Sequence, residues 1–199
     1  MQWKNENINS LTCRIHHKLV FDVYQKFLDP LNLENPEVIE LGCGSGELTA
    51  RIIKKYGGQP TLVDSSENAL RMASRNFKNH NIKADFIKAD LLRFKTGKKF
   101  DIVHSEGLIE HFIGKEQTKI INTHKSCVKK EGHIIISVPR PVWYHNLWKN
   151  YLKFRKRWFY GDIEIPMNKD ELEKILKENG LKIIRYLNYY RYAFALAKI

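Results

Sequence analysis

Residues 38–49 read Val38-Ile39-Glu40-Leu41-Gly42-Cys43-Gly44-Ser45-Gly46-Glu47-Leu48-Thr49. A short apolar run ends in a carboxylate, glycines follow at alternate positions, and a helical pattern then begins. Glycine tolerates positive φ and lets a ligand approach the backbone closely. A strand that runs into a glycine turn and then a helix is how open α/β sheets build a cofactor site at the carboxyl end of a strand. We therefore expect the rest of the chain to form walls around this turn.

Strand and helix patterns alternate along the remainder of the chain. We expect strands at residues 37–41, 61–64, 84–90, 100–105, 133–138, 181–187 and 192–197. We expect helices, from the helical spacing of apolar residues, at residues 8–28, 48–55, 66–77, 115–129 and 168–179. The dipeptide Glu131-Gly132 is expected to form a tight turn. This order predicts an α/β fold with a mostly parallel sheet, helices on both faces and one antiparallel edge strand.

Length and composition set the class of protein. The 199 residues suit one domain, so we expect residues 1–199 to form a single unit. Hydrophobic residues make up 43% and charged residues 28%, which excludes a disordered chain, and the apolar runs are too short to span a bilayer. The first residues lack the apolar core of a signal peptide, so a cytoplasmic location is expected. The formal net charge of +12 favours acidic partners, although lysine-rich helix faces that merely keep the protein soluble explain it equally well.

The spacing of the glycines narrows the choice of ligand. The dinucleotide fingerprint G-x-G-x-x-G would need its third glycine at the position of Glu47, whereas Gly46 comes one position early. No Gly-Lys-Ser/Thr follows, which excludes a nucleoside triphosphate loop. A pyrophosphate would also meet Glu40 and Glu47 without an obvious cation nearby. We therefore expect a ligand that has no doubly anionic linker.

Carboxylates stand at the ends of the first three predicted strands. Glu40 ends the first strand, Asp64 the second and Asp90 the third. Neighbouring parallel strands bring their carboxyl ends to one rim, where Asp64 can accept both hydroxyls of a ribose and Asp90 an adenine amino group. This arrangement suits a ligand with a nucleoside end and a zwitterionic end that carries a positive sulfur. Each acid taken alone is equally well explained as a capping or solvated residue.

Residues 40–46 match the motif E/D-x-G-x-G-x-G, and the chain resembles class I S-adenosylmethionine-dependent methyltransferases. The resemblance covers roughly residues 15–139. Further matching segments follow in the order of the family: Val63-Asp64-Ser65-Ser66, Ala89-Asp90-Leu91, Phe100-Asp101-Ile102-Val103 and Gly132-His133-Ile134-Ile135-Ile136-Ser137-Val138-Pro139. Ile109-Glu110-His111 and Ser137-Val138-Pro139 are similar to the small-molecule branch that includes ubiquinone-biosynthesis O-methyltransferases.

The resemblance implies a Rossmann-like seven-stranded sheet in the order 3-2-1-4-5-7-6, S-adenosyl-L-methionine as the cofactor and S-adenosyl-L-homocysteine as the product. It implies that residues 42–46 wrap the methionine end of the cofactor, that Asp64 holds the ribose, and that residues 90–91 frame the adenine. Ser105 and Glu106 would face the sulfonium and the substrate. The implied cofactor-binding residues are Glu40, Gly42, Cys43, Gly44, Gly46, Asp64, Ser65, Asp90, Leu91, Ser105 and Glu106.

Methyl transfer from a sulfonium is an in-line displacement, for which the protein supplies positioning and, for some nucleophiles, a base. The base must come from the loops above strands four and five, where the candidates are Glu106, Glu110, His111 and, less directly, His145. We prefer His111, because an imidazole titrates near neutral pH. The alternative is that His111 only bonds to backbone and shapes the start of a helix. No metal-ligand spacing stands out, so no metal is expected.

Residues 140–165 follow the fifth strand and begin with an unusually basic and aromatic stretch. Within residues 140–160 aromatic side chains recur at helical spacing, lysines fall on the opposite side and no acid is present, which predicts an amphipathic basic helix. We expect a lid over the substrate, and the open alternatives are contact with an anionic membrane, contact with RNA, or a helix packed on the core. The predicted substrate contacts are His111, Arg140, Trp143, Tyr144 and His145.

The sequence therefore predicts methyl transfer from S-adenosylmethionine to an O or N nucleophile of a small molecule, and the basic insert suits an acidic or lipid-soluble acceptor. One rival is an RNA or protein methyltransferase. Ser105-Glu106-Gly107-Leu108 stands where an Asn-Pro-Pro-Tyr-type tetrapeptide would be needed, which argues against methylation of exocyclic base nitrogens. A rival of another class is a catalytically silent cofactor-binding module that acts through its basic insert.

Overall fold

The computed structural model describes residues 11–142 and 164–199, together with Asn150. Its helices include α1 (Leu11–Leu28), α2 (Glu47–Tyr56), α3 (Glu67–Asn79), α4 (Lys115–Cys127) and α5 (Lys169–Glu178). Its strands are β1 (Glu37–Leu41), β2 (Gln59–Asp64), β3 (Asp85–Lys88), β4 (Phe100–Glu106), β5 (Val128–Pro139), β6 (Lys182–Tyr189) and β7 (Tyr192–Lys198). The predicted start of the first helix and most of the basic insert lie outside the described residues.

The strands form one sheet in the order β3-β2-β1-β4-β5-β7-β6, which confirms the predicted order. Strands β1 to β5 pair in parallel, whereas β7 runs antiparallel to both β5 and β6. The prediction that the antiparallel strand lies at the edge is wrong, because β7 turns back sharply and inserts between β5 and β6. Tyr190, in that tight connection, has a φ of +51°. The carboxyl ends of the parallel strands meet at one edge of the sheet, where the glycine turn lies.

Successive side chains of β1 point to opposite faces of the sheet and so contact different layers of helices. Ile39 and Leu41 pack with apolar side chains of α4 and α5, and Val38 packs with side chains of α1 and α2 on the other face. The central strand is therefore buried on both sides, as its continuous apolar run predicts. Helices cover both faces of the sheet, which confirms the predicted fold class.

Local rules account for most element boundaries. Asn168 accepts a hydrogen bond from the Glu171 N–H at 3.0 Å and the Glu171 carboxylate accepts one from the Asn168 N–H at 2.7 Å, which is the predicted capping box. The predicted turn at Glu131-Gly132 is wrong, because both residues lie within β5 beside an irregularity in the pairing with β4. A Cβ on Gly132 would lie 2.7 Å from Val128 Cγ2, so the glycine serves close strand packing.

Candidate active site

The glycine turn between β1 and α2 is held against β2 by backbone hydrogen bonds. Gly42, Gly44 and Gly46 have φ values of +73°, +52° and +66°, a region that favours glycine. The N–H groups of Gly42 and Cys43 donate to the Val63 carbonyl at 2.8 and 3.0 Å. The alternating glycines therefore let the chain fold back sharply, so that the turn lies over the carboxyl ends of β1 and β2.

The third glycine also serves packing. A Cβ built on Gly46 would overlap Leu62 Cδ2 and lie 3.0 Å from Phe77 Cε2, whereas one on Gly42 would lie 3.0 Å from the flexible end of Leu108. Asn76 of α3 donates its side-chain amide to the Ser45 carbonyl at 3.2 Å. The turn is thus supported from below by α3, and Asn76 is a supporting residue that the sequence analysis missed.

Asp64 joins the end of β2 to the turn. One carboxylate oxygen accepts the Gly44 N–H at 3.0 Å and the other accepts the Ser66 N–H at 2.8 Å. Burial raises the pKa of the Asp64 carboxyl, and the backbone donors at Ser66, Gly44 and Ser65 oppose that rise. The structure therefore brings Asp64 and Ser65 beside the turn, where the sequence predicted them.

The predicted adenine residues lie one loop further along the same rim. The Ala89 N–H donates to the Asp64 carbonyl at 3.0 Å, which places residues 89–91 next to the end of β2. Asp90 is half-exposed and accepts the Leu92 N–H at 3.0 Å, while Leu91 is buried and accepts the Thr123 hydroxyl at 3.0 Å through its carbonyl. Asp90 and Leu91 therefore flank the end of β2 in different environments, one polar and open, the other apolar and closed.

Glu40 and Cys43 are both buried beneath the turn. The Glu40 carboxylate is 3% exposed and accepts the Thr49 hydroxyl at 2.6 Å, and burial raises the pKa of Glu40 to about 8. Burial also raises the pKa of the Cys43 thiol well above its usual range, with the charges of Glu40 and Asp64 adding to the rise. Cys43 is therefore an unreactive thiol that packs in the core below the turn.

A cation does stand near Glu47, contrary to the sequence analysis. The Arg51 guanidinium lies 2.7 Å from the Glu47 carboxylate, one helical turn along α2. Asn76 donates to the same carboxylate at 3.0 Å. Because Glu47 already engages this guanidinium, the pair offers a pyrophosphate no net positive charge.

The end of β4 carries the candidate acceptor-side residues. The strand extends to Glu106, so Ser105 lies within it and not in the loop beyond. The Ser105 hydroxyl is fully buried and lies 2.9 Å from Nε2 of His124 on α4. Its side chain therefore faces α4, whereas the sequence predicted that it faces the sulfonium.

Glu106 is paired with a residue of the N-terminal helix. Its carboxylate lies 2.9 Å from Nε2 of His16 on α1, 90 positions earlier in the chain. Burial alone would raise the pKa of Glu106, but the hydrogen bond with His16, together with the neighbouring His17 and His104 rings, outweighs it and holds the pKa below its usual value. Glu106 is therefore ionised at neutral pH, and His16 is a site residue to which the sequence analysis gave no role.

Glu110 and His111 lie in a short 3-10 turn after β4, at residues Ile109–His111. Glu110 is 1% exposed, its Oε2 has no hydrogen-bond partner, and burial raises its pKa well above the usual range, with the charges of Glu164 and Glu106 adding to the rise. His111 Nε2 lies 3.9 Å from Glu110 Oε1. The structure thus brings two of the candidate catalytic side chains together and shifts the pKa values of Glu110 and Glu106 in opposite directions.

The predicted substrate residues of the insert are only partly described. Arg140 follows β5, donates from its guanidinium to the Tyr190 carbonyl at 3.4 Å and borders a cavity of about 260 Å³. The cavity is lined by Arg140, Pro141, Val142, Asn168, Lys169, Asp170 and Asn188. Trp143, Tyr144 and His145 lie outside the described residues. The structure therefore places Arg140 in a separate cavity, whose lining includes none of the residues of the glycine turn.

Two further properties concern the described residues alone. In residues 11–142 and 164–199 no three His, Cys, Asp or Glu side chains are grouped so that they could hold a metal ion. No helix in the same part of the chain combines the length and the apolar character needed to cross a membrane.

Curated relatives match part of this chain. A ubiquinone biosynthesis O-methyltransferase of Rickettsia akari is 28% identical over 137 residues, which cover 68% of this chain and 53% of the relative. A carboxy-S-adenosyl-L-methionine synthase of Wolinella succinogenes is 25% identical, covering 70% of this chain and 60% of the relative. A ribosomal protein L11 methyltransferase of Thermosipho melanesiensis is 29% identical, covering 60% and 43%. The chain thus spans about half the length of the curated relatives it matches.

Solved structures share the fold along almost the whole chain. Magnesium protoporphyrin IX methyltransferase from Synechocystis, crystallised with bound SAH, has a TM-score of 0.73 and 20% identity, covering 99% of this chain and 90% of the neighbour. The PH0226 protein of Pyrococcus horikoshii has a TM-score of 0.78 and 18% identity, covering 96% and 93%. At such identities the likeness shows the fold alone. A methyltransferase domain family model matches residues 14–186, most of the chain, and the chain belongs to this methyltransferase domain family.

Proposed function

We propose that the chain binds S-adenosylmethionine at the glycine turn and transfers its methyl group to an O or N nucleophile of a small molecule. The observation that carries this proposal is the bond from the Gly44 N–H to the Asp64 carboxylate at 3.0 Å, which joins the turn to the acid at the end of β2. Membership of the methyltransferase domain family supports it. The ubiquinone biosynthesis O-methyltransferases among the relatives support a small acceptor.

The side chains around the turn fit this cofactor. The Asp64 carboxylate accepts backbone N–H groups from Gly44, Ser66 and Ser65, and a carboxylate has about four lone-pair sites, so it can also accept a ribose hydroxyl. Glu40 and Asp64 place carboxyls beside the turn, and Arg51 is engaged by Glu47. This set suits a ligand with hydroxyl donors and a positive centre, and it disfavours a pyrophosphate. Asp64 would hold the ribose, and the backbone of residues 42–46 would hold the methionine end.

The acceptor side would be formed by the residues that follow β4. When bound, the cofactor supplies an electrophilic methyl carbon on a sulfonium, so the protein needs to position the nucleophile and to take its proton. Burial favours the protonated form of Glu110, which can donate a hydrogen bond to the acceptor, whereas an imidazole can take the proton. We therefore assign the base to His111 and the orienting role to Glu110, with residues 140–165 as the lid.

Neither rival has an observation that favours it. Ribosomal protein L11 methyltransferases occur among the relatives at 29% identity over 60% of this chain, a match similar to those of the ubiquinone biosynthesis O-methyltransferases, so they do not favour a macromolecular acceptor over a small one. A silent module acting on membrane or RNA would use the insert of residues 140–160, most of which lies outside the described residues. Transfer of labelled methyl groups into fractionated cell extract distinguishes these functions, because the label would enter small molecules on our proposal and macromolecules on the first rival.

Calorimetry with S-adenosylmethionine tests the cofactor site. We expect the wild-type chain to bind, and Asp64→Asn to bind at least about tenfold more weakly, because it loses a charged acceptor that also fixes the turn. Asp85→Asn, at an exposed position on neighbouring β3, is the matched control and should bind like the wild type. Absence of binding by the wild type at millimolar ligand would refute the proposal.

Turnover of the His111→Ala variant tests the base. General-base catalysis typically contributes about 10²–10⁴-fold, so we expect turnover to fall at least about a hundredfold while cofactor affinity stays unchanged. His80→Ala, at the C-terminal end of α3, serves as the control. If His111→Ala keeps more than about half of the wild-type turnover, His111 is not the base.

A further inference from the structure

A chain of buried side chains runs from helix α1 to the carboxylate below the glycine turn. Tyr24 OH lies 3.5 Å from His104 Nδ1, His104 Nε2 lies 2.9 Å from Thr49 Oγ1, and Thr49 Oγ1 lies 2.6 Å from Glu40 Oε2. All four side chains are at most 3% exposed. His104 lies opposite Glu40 in the pairing of β1 with β4, and Thr49 reaches both residues from α2. These four hydrogen-bonded side chains therefore connect α1, α2, β1 and β4.

The hydrogen bonds among these four side chains have a consistent direction when the Thr49 hydroxyl donates to Glu40. Burial lowers the pKa of His104 to about 3, so its ring is neutral and has one donor and one acceptor nitrogen. Burial raises the pKa of Tyr24, so its hydroxyl keeps its proton and, besides its hydrogen bond with Ser137, can donate to Nδ1 at 3.5 Å. Nε2–H then donates to the Thr49 hydroxyl, and that hydroxyl donates to Glu40. Every donor points towards Glu40, which is the arrangement that an ionised carboxylate favours.

We propose that Thr49, oriented by His104 and Tyr24, is a positioning residue that sets the charge of Glu40, so that the turn distinguishes a sulfonium ligand from the neutral thioether product. This inference rests on the proposed function, because it assumes that the turn holds the methionine end of the cofactor. Glu40 stands two residues before the first glycine of the turn. An ionised Glu40 favours a cation there, and it favours the release of the product, whose sulfur is uncharged.

The groups around Glu40 have opposing effects on its pKa. Burial, together with the carboxylates of Glu106 on β4 and Asp64 on β2, disfavours ionisation, whereas the hydrogen bond from Thr49 favours it. The other titratable groups nearby are the Cys43 thiol in the turn, the neutral His104 ring on β4 and Tyr24 on α1. Because the pKa of Glu40 lies at about 8, its ionised fraction rises through the neutral and mildly alkaline range.

The test compares the affinities of S-adenosylmethionine and S-adenosylhomocysteine by calorimetry between pH 6.5 and 9. The two ligands share their nucleoside and amino acid ends, so the ratio of their affinities isolates the sulfonium charge. For the wild type we expect the preference for the sulfonium to rise with pH. Thr49→Val removes the donor, so we expect the preference at pH 7.5 to fall about tenfold and its pH midpoint to move upwards. Thr49→Ser keeps a hydroxyl and should restore both.

The matched control is Thr61→Val, which makes the same change at a buried position of β2 where the hydroxyl has no hydrogen-bond partner. Its preference should equal that of the wild type. Tyr24→Phe removes the hydroxyl furthest from Glu40 among the four side chains, and it should lower the preference for the sulfonium ligand about twofold. This variant provides a second test if Thr49→Val does not fold. Equal losses for both ligands would show a purely structural role and overturn the inference. Absence of binding by the wild type would instead overturn the proposed function.

Discussion

Replacing Gly46 by alanine tests why the turn needs its third glycine. The sequence explains this glycine by close approach of a ligand, whereas the structure shows that a Cβ would overlap Leu62 and lie 3.0 Å from Phe77. The residue also has a φ of +66°. The structural explanation predicts a loss of folding stability in the absence of any ligand.

The size of the effect follows from two contributions. A left-handed backbone costs a residue with a Cβ about 1–2 kcal/mol. Overpacking against side chains in a filled core costs about 1–3 kcal/mol more, and the lower entropy of the unfolded alanine variant returns about 0.4–1 kcal/mol. These contributions add up to a loss of about 1–5 kcal/mol, and we expect Gly46→Ala to lower the free energy of unfolding by about 2–4 kcal/mol, in the middle of that range and a large share of the 5–15 kcal/mol typical of a domain. Gly42→Ala, whose Cβ would meet only the flexible end of Leu108, should lose about 1–2 kcal/mol.

Urea unfolding in the absence of cofactor measures these differences in the free energy of unfolding. In thermal unfolding, the melting temperature of Gly46→Ala should fall by roughly 5–15 °C. Gly97→Ala is the matched control, because a Cβ there meets nothing within 4 Å. Adding Leu62→Val to Gly46→Ala should recover about 1 kcal/mol, since it removes the atom that the new Cβ meets. If Gly46→Ala unfolds within about 0.5 kcal/mol of Gly97→Ala, the packing explanation is wrong.

Two further predictions concern the carboxyls beyond β4. Because the folded pKa of Glu110 is raised, its contribution to stability is complete below the unfolded pKa and declines as pH rises towards the folded value, by up to about 1.4 kcal/mol per pH unit. Glu110→Gln should flatten this decline in urea unfolding between pH 5 and 8, and parallel profiles for the two proteins would contradict it. His16→Ala removes the partner that lowers the pKa of Glu106, so the acid limb of the pH–rate profile should move to higher pH; an unmoved limb would show that Glu106 does not govern activity.

The parts of the fold that follow from local patterns were predictable. The alternation of strands and helices, the capping box at Asn168 and the position of Asp64 beside the turn were expected, because they depend on periodicity, on turn chemistry and on the shared edge of parallel strands. The sheet order was expected only from the resemblance to the methyltransferase family, since the patterns alone placed the antiparallel strand at the edge. The errors lie where tertiary packing overrides a local signal. Gly132 was expected to lie in a turn although it serves close strand packing, and the fourth strand was expected to end at Ser105 although it extends to Glu106.

Contacts between residues far apart in the chain could not be predicted from the sequence. His16 and Glu106 are 90 positions apart, and no periodicity or spacing connects them. The chain from Tyr24 to Glu40 likewise joins two helices and two strands, and its members, taken singly, look like ordinary core or surface residues. Pattern reasoning locates side chains on elements, but the pairing of two polar side chains across a core depends on the relative placement of those elements.

The charge states of three glutamates show what this placement contributes to chemistry. From the sequence, Glu40 is a cofactor-side carboxylate and Glu106 and Glu110 are candidate bases, and no pattern separates their pKa values. In the folded chain the hydrogen bond with His16 lowers the pKa of Glu106, burial without a partner for Oε2 raises the pKa of Glu110, and burial opposed by the Thr49 hydroxyl brings the pKa of Glu40 to about 8. Environments that separate pKa values in this way assign distinct roles to like groups. On our proposals the three become a fixed charge, a hydrogen-bond donor and a charge sensor, so mutating each to glutamine should give three different pH profiles.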